Sequence, residues 1–291
     1  MSKRPTIIIT GASGFVGSEL VRHFSHKGWQ VRALVRHPKR FTATKNVRYI
    51  EYNMEDELSD DMFAGADYLV HAAYVKVGRE QDTAAITLES ARRLLQKSRA
   101  HHLKKNVFMS SMSAHKDAVS GYGKQKFAAE KLFQSRQDAV IRSGLIIGNG
   151  GLIQQIVHFM RTKHVAPLID GGGQPLQVVA VYDMARVITT ILERDLHGTF
   201  MIGTPEVYTY REFYISVRHH LHIKAAIIPV PFWMPLLAIR AIKLLHLPLG
   251  VTEDNLWGLK KLQAFETLPS LTQLDIELDP LDSILQKITV R

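Results

Sequence analysis

The chain has 291 residues, 46% of them hydrophobic, which suits one large or two modest globular domains and excludes disordered and fibrous classes. It contains no cysteine, so disulfides, thiolate metal sites and cysteine nucleophiles are excluded, and this composition fits a reducing cytosol. The formal net charge is +10, but Lys and Arg are spread along the chain without long basic blocks. We therefore expect a cytoplasmic protein whose basic groups bind a phosphorylated cofactor or an anionic substrate, with nucleic acid disfavoured.

The first half of the chain alternates short β-rich apolar runs with segments of helical spacing. The predicted strands are Thr6–Thr10, Val31–Val35, Tyr68–Ala73, Asn106–Ser110 and Ala139–Ile147. The predicted helices are Val16–His26, Thr83–Ala100 and Tyr122–Gln134. Parallel strands need crossover helices, and those helices cover both faces of the sheet. The alternation therefore predicts an α/β, Rossmann-type, doubly wound parallel sheet.

The rhythm becomes irregular after residue 150. Residues 151–164 and 184–194 have helical spacing, but loop chemistry is frequent between them and beyond. We expect residues 1–150 to form a nucleotide-binding Rossmann domain. Residues 151–291 should form mainly a small substrate-binding lobe, with segments that return to the Rossmann domain.

The longest apolar stretch runs from residue 232 to residue 250. Arg240 and Lys243 lie in its middle, and Pro235 and Pro248 interrupt it, so we expect no transmembrane span. Two alternatives stay open. The stretch forms a core-packing helix, or it forms an interfacial amphipathic helix that touches a membrane surface or a lipophilic substrate.

Three glycines, Gly11, Gly14 and Gly17, separate the first predicted strand from the first predicted helix. In this context the first glycine permits a sharp turn, the second leaves the backbone open to a pyrophosphate, and the third lets the helix pack closely on the strand. Amide groups and the positive dipole at the helix start favour an anion. We therefore predict a dinucleotide site, which also includes Ser13, Phe15 and Val16.

The residue after the second predicted strand indicates which dinucleotide binds. NAD sites usually place Asp or Glu there, about 20 residues past the glycines, to bind the ribose 2′-hydroxyl. Arg36 takes this place, with His37, Lys39 and Arg40 nearby, and the next acid along the chain is Glu51. A guanidinium binds a 2′-phosphate through charge-assisted hydrogen bonds, so we expect NADP(H) and disfavour NAD(H). A solvated basic loop is the alternative.

Tyr122 and Lys126 are four residues apart and share one face if the segment is helical. A nearby ammonium group lowers the pKa of a tyrosine from its usual value near 10, and Tyr122 then serves as an acid or base. The spacing also arises by chance in a lysine-rich chain, so its position just after the strand Asn106–Ser110 carries the prediction. Histidine pairs at 101–102 and 219–220 lack the spacing of a zinc helix, and we expect no metal.

Several motifs together resemble the short-chain dehydrogenase/reductase superfamily, in its extended or atypical epimerase-like branch. They are TGASGFVG (10–17), HAA (71–73), SSMSA (110–114), Tyr122-x-x-x-Lys126, IRSGLIIG (141–148), VAVYDMA (179–185) and GTFMIGTPEVYTYREF (198–213). The resemblance implies hydride transfer to or from a carbonyl or alcohol, sometimes within an epimerase or dehydratase cycle. The substrate stays open, with a nucleotide-sugar and a lipophilic molecule as the two alternatives. Tyr122 would be the acid/base and Lys126 its pKa-lowering and ribose-binding partner. Ser111 or Ser113 would orient the substrate oxygen.

The resemblance also extends the predicted cofactor site to Ala72, Ala73 and Asn53, of which Asn53 stands where an adenine-contacting aspartate is common. One departure concerns catalysis, because Met112 takes the usual place of the catalytic serine or threonine. We expect an NADP(H)-dependent oxidoreductase or epimerase with a small-molecule substrate. The alternative is a non-catalytic NADP(H)-binding structural or redox-sensing protein, similar to the nucleotide-binding accessory subunit of respiratory complex I. The oligomeric state stays open.

Overall fold

A computed structural model describes residues 4–74, 80–244 and 252–289 of the chain. Its β-strands are β1 Thr6–Thr10, β2 Gln30–Val35, β3 Val47–Glu51, β4 Tyr68–His71, β5 Lys105–Ser111, β6 Asp138–Ser143, β7 Leu145–Ile147, β8 Val165–Ile169, β9 Pro175–Leu176, β10 Val178–Ala180, β11 Gly198–Ile202, β12 Tyr208–Thr209 and β13 Ala226–Val230. Its α-helices are α1 Phe15–His26, α2 Glu80–Ala100, α3 Gly121–Glu130, α4 Gly151–Lys163, α5 Val181–Glu193, α6 Tyr210–His220, α7 Trp233–Leu244, α8 Glu253–Lys260, α9 Leu268–Leu274 and α10 Leu281–Gln286.

The central sheet has seven strands in the order β11-β6-β5-β4-β1-β2-β3. Strand β1 pairs in parallel with both β2 and β4, and β2 with β3 and β4 with β5 are parallel as well. The chain therefore leaves β1 toward one edge and returns to its other side. This change of direction creates the crevice at the carboxyl ends of the strands where doubly wound folds bind ligands. The predicted Rossmann-type α/β fold is confirmed.

The apolar runs predicted as strands are buried because helices cover both faces of the sheet. All three isoleucines of β1, Ile7, Ile8 and Ile9, are fully buried, as expected for a central parallel strand. Helix α1 places Leu20 and Phe24 in the core, one turn apart on one face. These contacts fix the strand and the helix on either side of the glycine turn.

One strand prediction needs correction, and one strand was not predicted. The run Ala139–Ile147 forms two strands, β6 and β7, because the chain turns away at Gly144, where an added Cβ would lie 2.2 Å from the carbonyl oxygen of Gln177. Strand β7 then pairs with β10, outside the central sheet. Strand β3 was not predicted: it is an edge strand in which Val47 alone is buried, and Arg48 and Glu51 are exposed.

The chain forms two compact units. The first comprises Met1–Ser111, Gln125–Arg142 and Val181–Phe200, and the second comprises Met112–Lys124, Ser143–Ala180 and Met201–Arg291. The units interleave along the sequence, and the division at residue 150 stays a prediction. Of the apolar stretch 232–250, residues 233–244 form α7, and residues 245–250 lie outside the described part. Among the described residues, no helix has both the length and the apolar content needed to cross a bilayer.

Candidate functional site

The glycine turn after β1 owes its shape to close backbone contacts. Gly11 has a φ of +66°, and an added Cβ would lie 2.8 Å from the backbone of Ala73. At Gly17 an added Cβ would lie 2.1 Å from the carbonyl oxygen of Gly11. Real Cβ atoms do not approach backbone so closely, so both glycines are steric requirements of the turn. At Gly14 the corresponding distance, to the same oxygen, is 3.2 Å.

The amino end of α1 is open to an anion. Gly14 is the N-cap and supplies no side-chain acceptor, and the first turn of the helix contains no acidic residue. The first N–H groups of a helix have no acceptor within the helix. The amides of Phe15, Val16 and Gly17, together with the helix dipole, therefore favour negative charge at this point.

A cavity of about 320 Å³ opens against this turn in the first unit. Ten of the eleven residues predicted to bind the cofactor line it: Gly11, Ser13, Gly14, Phe15, Val16, Gly17, Arg36, Asn53, Ala72 and Ala73. Five further lining residues were not predicted: Leu34, Val35, Tyr52, Met54 and Tyr74. Leu34 and Val35 are the last residues of β2, Tyr52 and Met54 come just after β3, and Tyr74 comes after β4. These residues meet at the cavity because the sheet places the three strands near one another. The hydroxyl of Tyr52 is fixed by a 2.7 Å hydrogen bond to Ser90.

Arg36 follows β2 directly and is exposed at the cavity. Its guanidinium makes no hydrogen bond or ion pair with the residues that the structure describes. Lys39 and Arg40 lie in the short 3₁₀ turn Pro38–Arg40, and neither they nor His37 line the cavity. Of these four basic residues, all within the described part of the chain, Arg36 therefore offers its charge to the cavity.

A buried polar group lies at the carboxyl ends of β1 and β4. The hydroxyl of Thr10 accepts the Ala73 N–H at 3.2 Å and lies 2.7 Å from Nδ1 of His71. Nε2 of His71 is buried without a hydrogen-bond partner among the described residues. Burial, assisted by the charge of Lys126, lowers the pKa of His71 to about 3, so this imidazole is neutral at physiological pH.

Lys126 is fully enclosed in the first unit and does not line the cavity described above. Its ammonium group donates to the carbonyl oxygen of Met109 at 2.7 Å and lies 4.8 Å from the ring centre of Phe108 and 5.6 Å from that of Tyr74. Burial lowers the pKa of Lys126 to about 8, and the charge of Glu130 opposes this shift. The amine is therefore mainly protonated at pH 7.

The three serines at and after the end of β5 differ in how exposed they are. Ser110 is buried and donates to Glu130 at 2.5 Å, and Glu130 also accepts a bidentate pair of hydrogen bonds from Arg142, from Nε to Oε1 at 2.9 Å and from Nη2 to Oε2 at 2.6 Å. Ser110 thus belongs to a structural ionic group. Ser111 is partly exposed at the end of β5, and Ser113 is partly exposed at the start of the loop that leads to α3.

Met112 turns its side chain inward in the second unit. It is buried, and its methyl group lies 3.1 Å from the position that a Cβ on Gly203 would take. The backbone N–H of Met112 donates to Ser143 at 2.9 Å. Met112 is thus a packing residue at the place where the resemblance expects a catalytic hydroxyl.

Helix α3 carries Tyr122 in its first turn and Lys126 one turn later, which confirms that the segment is helical. The carboxylate of Asp254, in the first turn of α8, accepts the N–H of Gly121 at 2.5 Å and that of Tyr122 at 3.3 Å. One turn further along α8, a Cβ on Gly258 would lie 3.3 Å from Ser120. Sequence reasoning missed this docking, because 133 positions separate Gly121 from Asp254.

A sequence model of the NAD-dependent epimerase/dehydratase family matches residues 7–203. The chain belongs to this family. The resemblance predicted from the motifs is thus confirmed, and the membership supports an NAD(P)-dependent enzyme of the oxidoreductase-like type. Among the described residues, no cluster of three or more His, Asp or Glu side chains is arranged to hold a metal ion.

Two relatives and one solved structure illustrate the range of similar proteins. The ceramide reductase of Caulobacter vibrioides is 25% identical over 243 residues, which cover 78% of this chain and 74% of that protein. NADH dehydrogenase [ubiquinone] 1 alpha subcomplex subunit 9, a mitochondrial protein of Arabidopsis thaliana, is 23% identical over 305 aligned positions, covering 96% of this chain and 74% of that protein.

The solved structure is the UDP-glucose 4-epimerase of Thermotoga maritima with UDP-glucose bound. It superposes with a TM-score of 0.74 at 18% identity and covers 97% of this chain and 96% of that chain. Identity at this level supports the shared fold alone.

Proposed function

We propose that the protein is an NADP(H)-dependent oxidoreductase of the epimerase/dehydratase type, acting on a carbonyl or alcohol substrate. The observation that carries the proposal is the cavity against the glycine turn, with the open amino end of α1 on one side and Arg36 on the other. A dinucleotide fits these groups, because the N–H groups at the start of α1 bind its diphosphate. The absence of a side chain at Gly14 lets the diphosphate come close to the backbone, and a Cβ there would narrow that space. The bound nicotinamide supplies or accepts a hydride.

The preference for NADP(H) rests on Arg36. A carboxylate at this place binds a ribose 2′-hydroxyl and repels a 2′-phosphate. Arg36 is positively charged, exposed and without a protein partner among the described residues, so its guanidinium is available for two parallel hydrogen bonds to phosphate oxygens.

The proton chemistry is assigned to α3. Tyr122 transfers a proton to or from the substrate oxygen, and the protonated amine of Lys126 favours the phenolate by its charge. Ser111 or Ser113 orients the substrate oxygen with a hydroxyl hydrogen bond. Met112 takes no part in this proposal, since its side chain packs against the second unit's own residues.

The substrate class is to be tested with two probes. A long-chain keto lipid represents the lipophilic class, as suggested by the ceramide reductase relative. UDP-glucose represents the nucleotide-sugar class, as suggested by the structural neighbour. Absorbance at 340 nm follows NADPH consumption with the lipid and NADP⁺ reduction with the sugar, and product analysis detects epimerisation, in which the cofactor is regenerated.

The decisive variant for catalysis is Tyr122→Phe, with Tyr49→Phe as the matched control. Loss of one general acid/base typically costs 10²- to 10⁴-fold in rate, so we expect kcat to fall by about 10³-fold while the Kd for NADPH stays within about threefold. Tyr49→Phe should change neither quantity. Full turnover by the Tyr122→Phe variant on either probe would remove the tyrosine from the mechanism.

A second candidate function is tight NADP(H) binding without turnover. It is favoured by the burial of Met112 where a catalytic hydroxyl is expected, and by the complex I subunit among the relatives. This alternative predicts high affinity for NADPH, no consumption with any probe, and no effect of Tyr122→Phe on the protein's properties.

A further inference from the structure

Helix α7 has one apolar face that packs and another that does not. Phe232, just before the helix, and Ile239 are buried together with Leu256 of α8. On the opposite face, Trp233 and Leu237 stand one turn apart and are 59% and 55% exposed, and Met234 beside them is 47% exposed. We call these three side chains the α7 face. Among the large hydrophobic residues that the structure describes, only Leu268 is more exposed than Trp233 and Leu237.

The area of the α7 face restricts which kind of partner can bind it. Three side chains of this size, each about half exposed, offer on the order of 350 Å². A stable protein–protein interface buries about 800 Å² on each partner, so a second copy of this chain would leave most of the required area unmatched. An apolar patch of a few hundred Å² on a helix surface suffices for shallow insertion into a lipid interface.

The charge around the α7 face favours an anionic partner. Between residues 224 and 264 the chain has five Lys or Arg and two Asp or Glu. Asp170, earlier in the chain, is a third acid beside the helix: it accepts the N–H of Phe232 at 2.8 Å and lies 3.6 Å from Lys260. All three acids are bound within the second unit, since Glu253 pairs with Arg240 and Asp254 accepts the N–H groups at the start of α3. The guanidinium of Arg240, one turn beyond Leu237, pairs with Glu253 at 3.2 Å but is still 58% exposed, so lipid phosphates can reach it.

We propose that the α7 face docks on the surface of a bilayer that contains anionic lipids. Trp233 lies at the level of the headgroups, where an indole satisfies both its apolar ring and its N–H. Met234 and Leu237 enter the boundary of the acyl chains, and the surrounding basic residues bind lipid phosphates. The helix lies in the plane of the interface, with its exposed apolar side chains toward the lipid and its packed side against the protein.

Co-sedimentation with sucrose-loaded vesicles tests the proposal on the full chain. We expect binding to vesicles of 70% phosphatidylcholine and 30% phosphatidylglycerol, at least tenfold weaker binding to pure phosphatidylcholine, and a comparable loss in 0.5 M NaCl. The double variant Trp233→Ser/Leu237→Ser should lose at least tenfold in affinity. The control Phe159→Ser/Leu268→Ser removes two side chains that are 42% and 60% exposed elsewhere and should bind like the wild type.

Two results would overturn the proposal. One is equal vesicle binding by the wild type and the α7 double variant. The other is a concentration-dependent dimer in light scattering that the α7 double variant abolishes, because the occupant would then be a second copy. NADPH affinity measured on the same samples separates this question from the proposed function, since neither double variant touches the cavity at the glycine turn.

Discussion

The two compact units differ in how far apart in the chain their candidate site residues lie. In the first unit, the turn after β1 and the first turn of α1 together supply six of the residues that line the cavity. In the second unit, the start of α3 is held by α8, and the bonded residues Gly121 and Asp254 are 133 positions apart. A cofactor site whose residues are close in sequence can be predicted from the sequence. The contact that holds the start of α3 cannot, because its two partners are far apart in the chain.

The largest expected effect concerns the local turn. Gly17→Ala places a Cβ 2.1 Å from the carbonyl oxygen of Gly11, so the turn must open or α1 must move. We expect the free energy of unfolding to fall by about 3 kcal/mol or more, measured by urea denaturation. Gly173→Ala, in the second unit, is the control, because a Cβ there meets no atom within 4 Å. Equal stability of the two variants would contradict the steric account of the turn.

The second prediction concerns His71, which is buried and neutral beneath the crevice. Its pKa in the folded protein is about 3, while the unfolded chain binds the proton near pH 6.5. Between these values the unfolded state binds more protons, so this histidine lowers stability as the pH falls from about 6.5 toward 3. Between pH 6.5 and pH 4, His71→Leu should gain about 2–3 kcal/mol in unfolding free energy relative to the wild type.

Urea titrations at several pH values check this prediction. His158→Leu is the control, because His158 is exposed on α4. The difference between His158→Leu and the wild type should stay constant with pH. A difference for His71→Leu that is equally flat would show that the buried imidazole is protonated in the folded protein.

The smallest effect is expected at the distant contact. Asp254→Ala leaves the N–H groups of Gly121 and Tyr122 without their acceptor, so the free energy of unfolding should fall by about 1–2 kcal/mol. Amide hydrogen exchange at these two residues should accelerate. Glu253→Ala removes the neighbouring carboxylate, whose ion pair is at the surface, and should cost less than about 0.5 kcal/mol. Unchanged exchange at Gly121 in Asp254→Ala would remove α8 from the positioning of Tyr122.

The sequence predicts the elements that are encoded locally and misses the features that depend on distant segments. Strand β1 was predicted with its observed limits and α1 within one residue, because an isoleucine run and three glycines encode them locally. The break at Gly144 was missed, since it depends on the approach of Gln177 from another segment. The inward direction of Met112 depends likewise on Gly203, far along the chain.

The cavity at the glycine turn has lining residues that the sequence predicted and lining residues that it did not. Arg36 was found because its meaning comes from its distance to the glycines along the chain. Tyr52 and Tyr74 were missed because they face the cavity only once β3 and β4 are paired into the sheet. Pocket walls that come from different strands carry no local pattern.

Calorimetric titration with NADPH and NADH tests the central claim most directly, using the wild type, Arg36→Asp and the control Lys39→Asp. Arg36 lines the cavity and Lys39 does not. We expect the wild type to bind NADPH at least tenfold more tightly than NADH, and Arg36→Asp alone to lose that preference through weaker NADPH binding. An NADPH affinity that is unchanged in Arg36→Asp, or a wild type that binds neither nucleotide, would contradict the account.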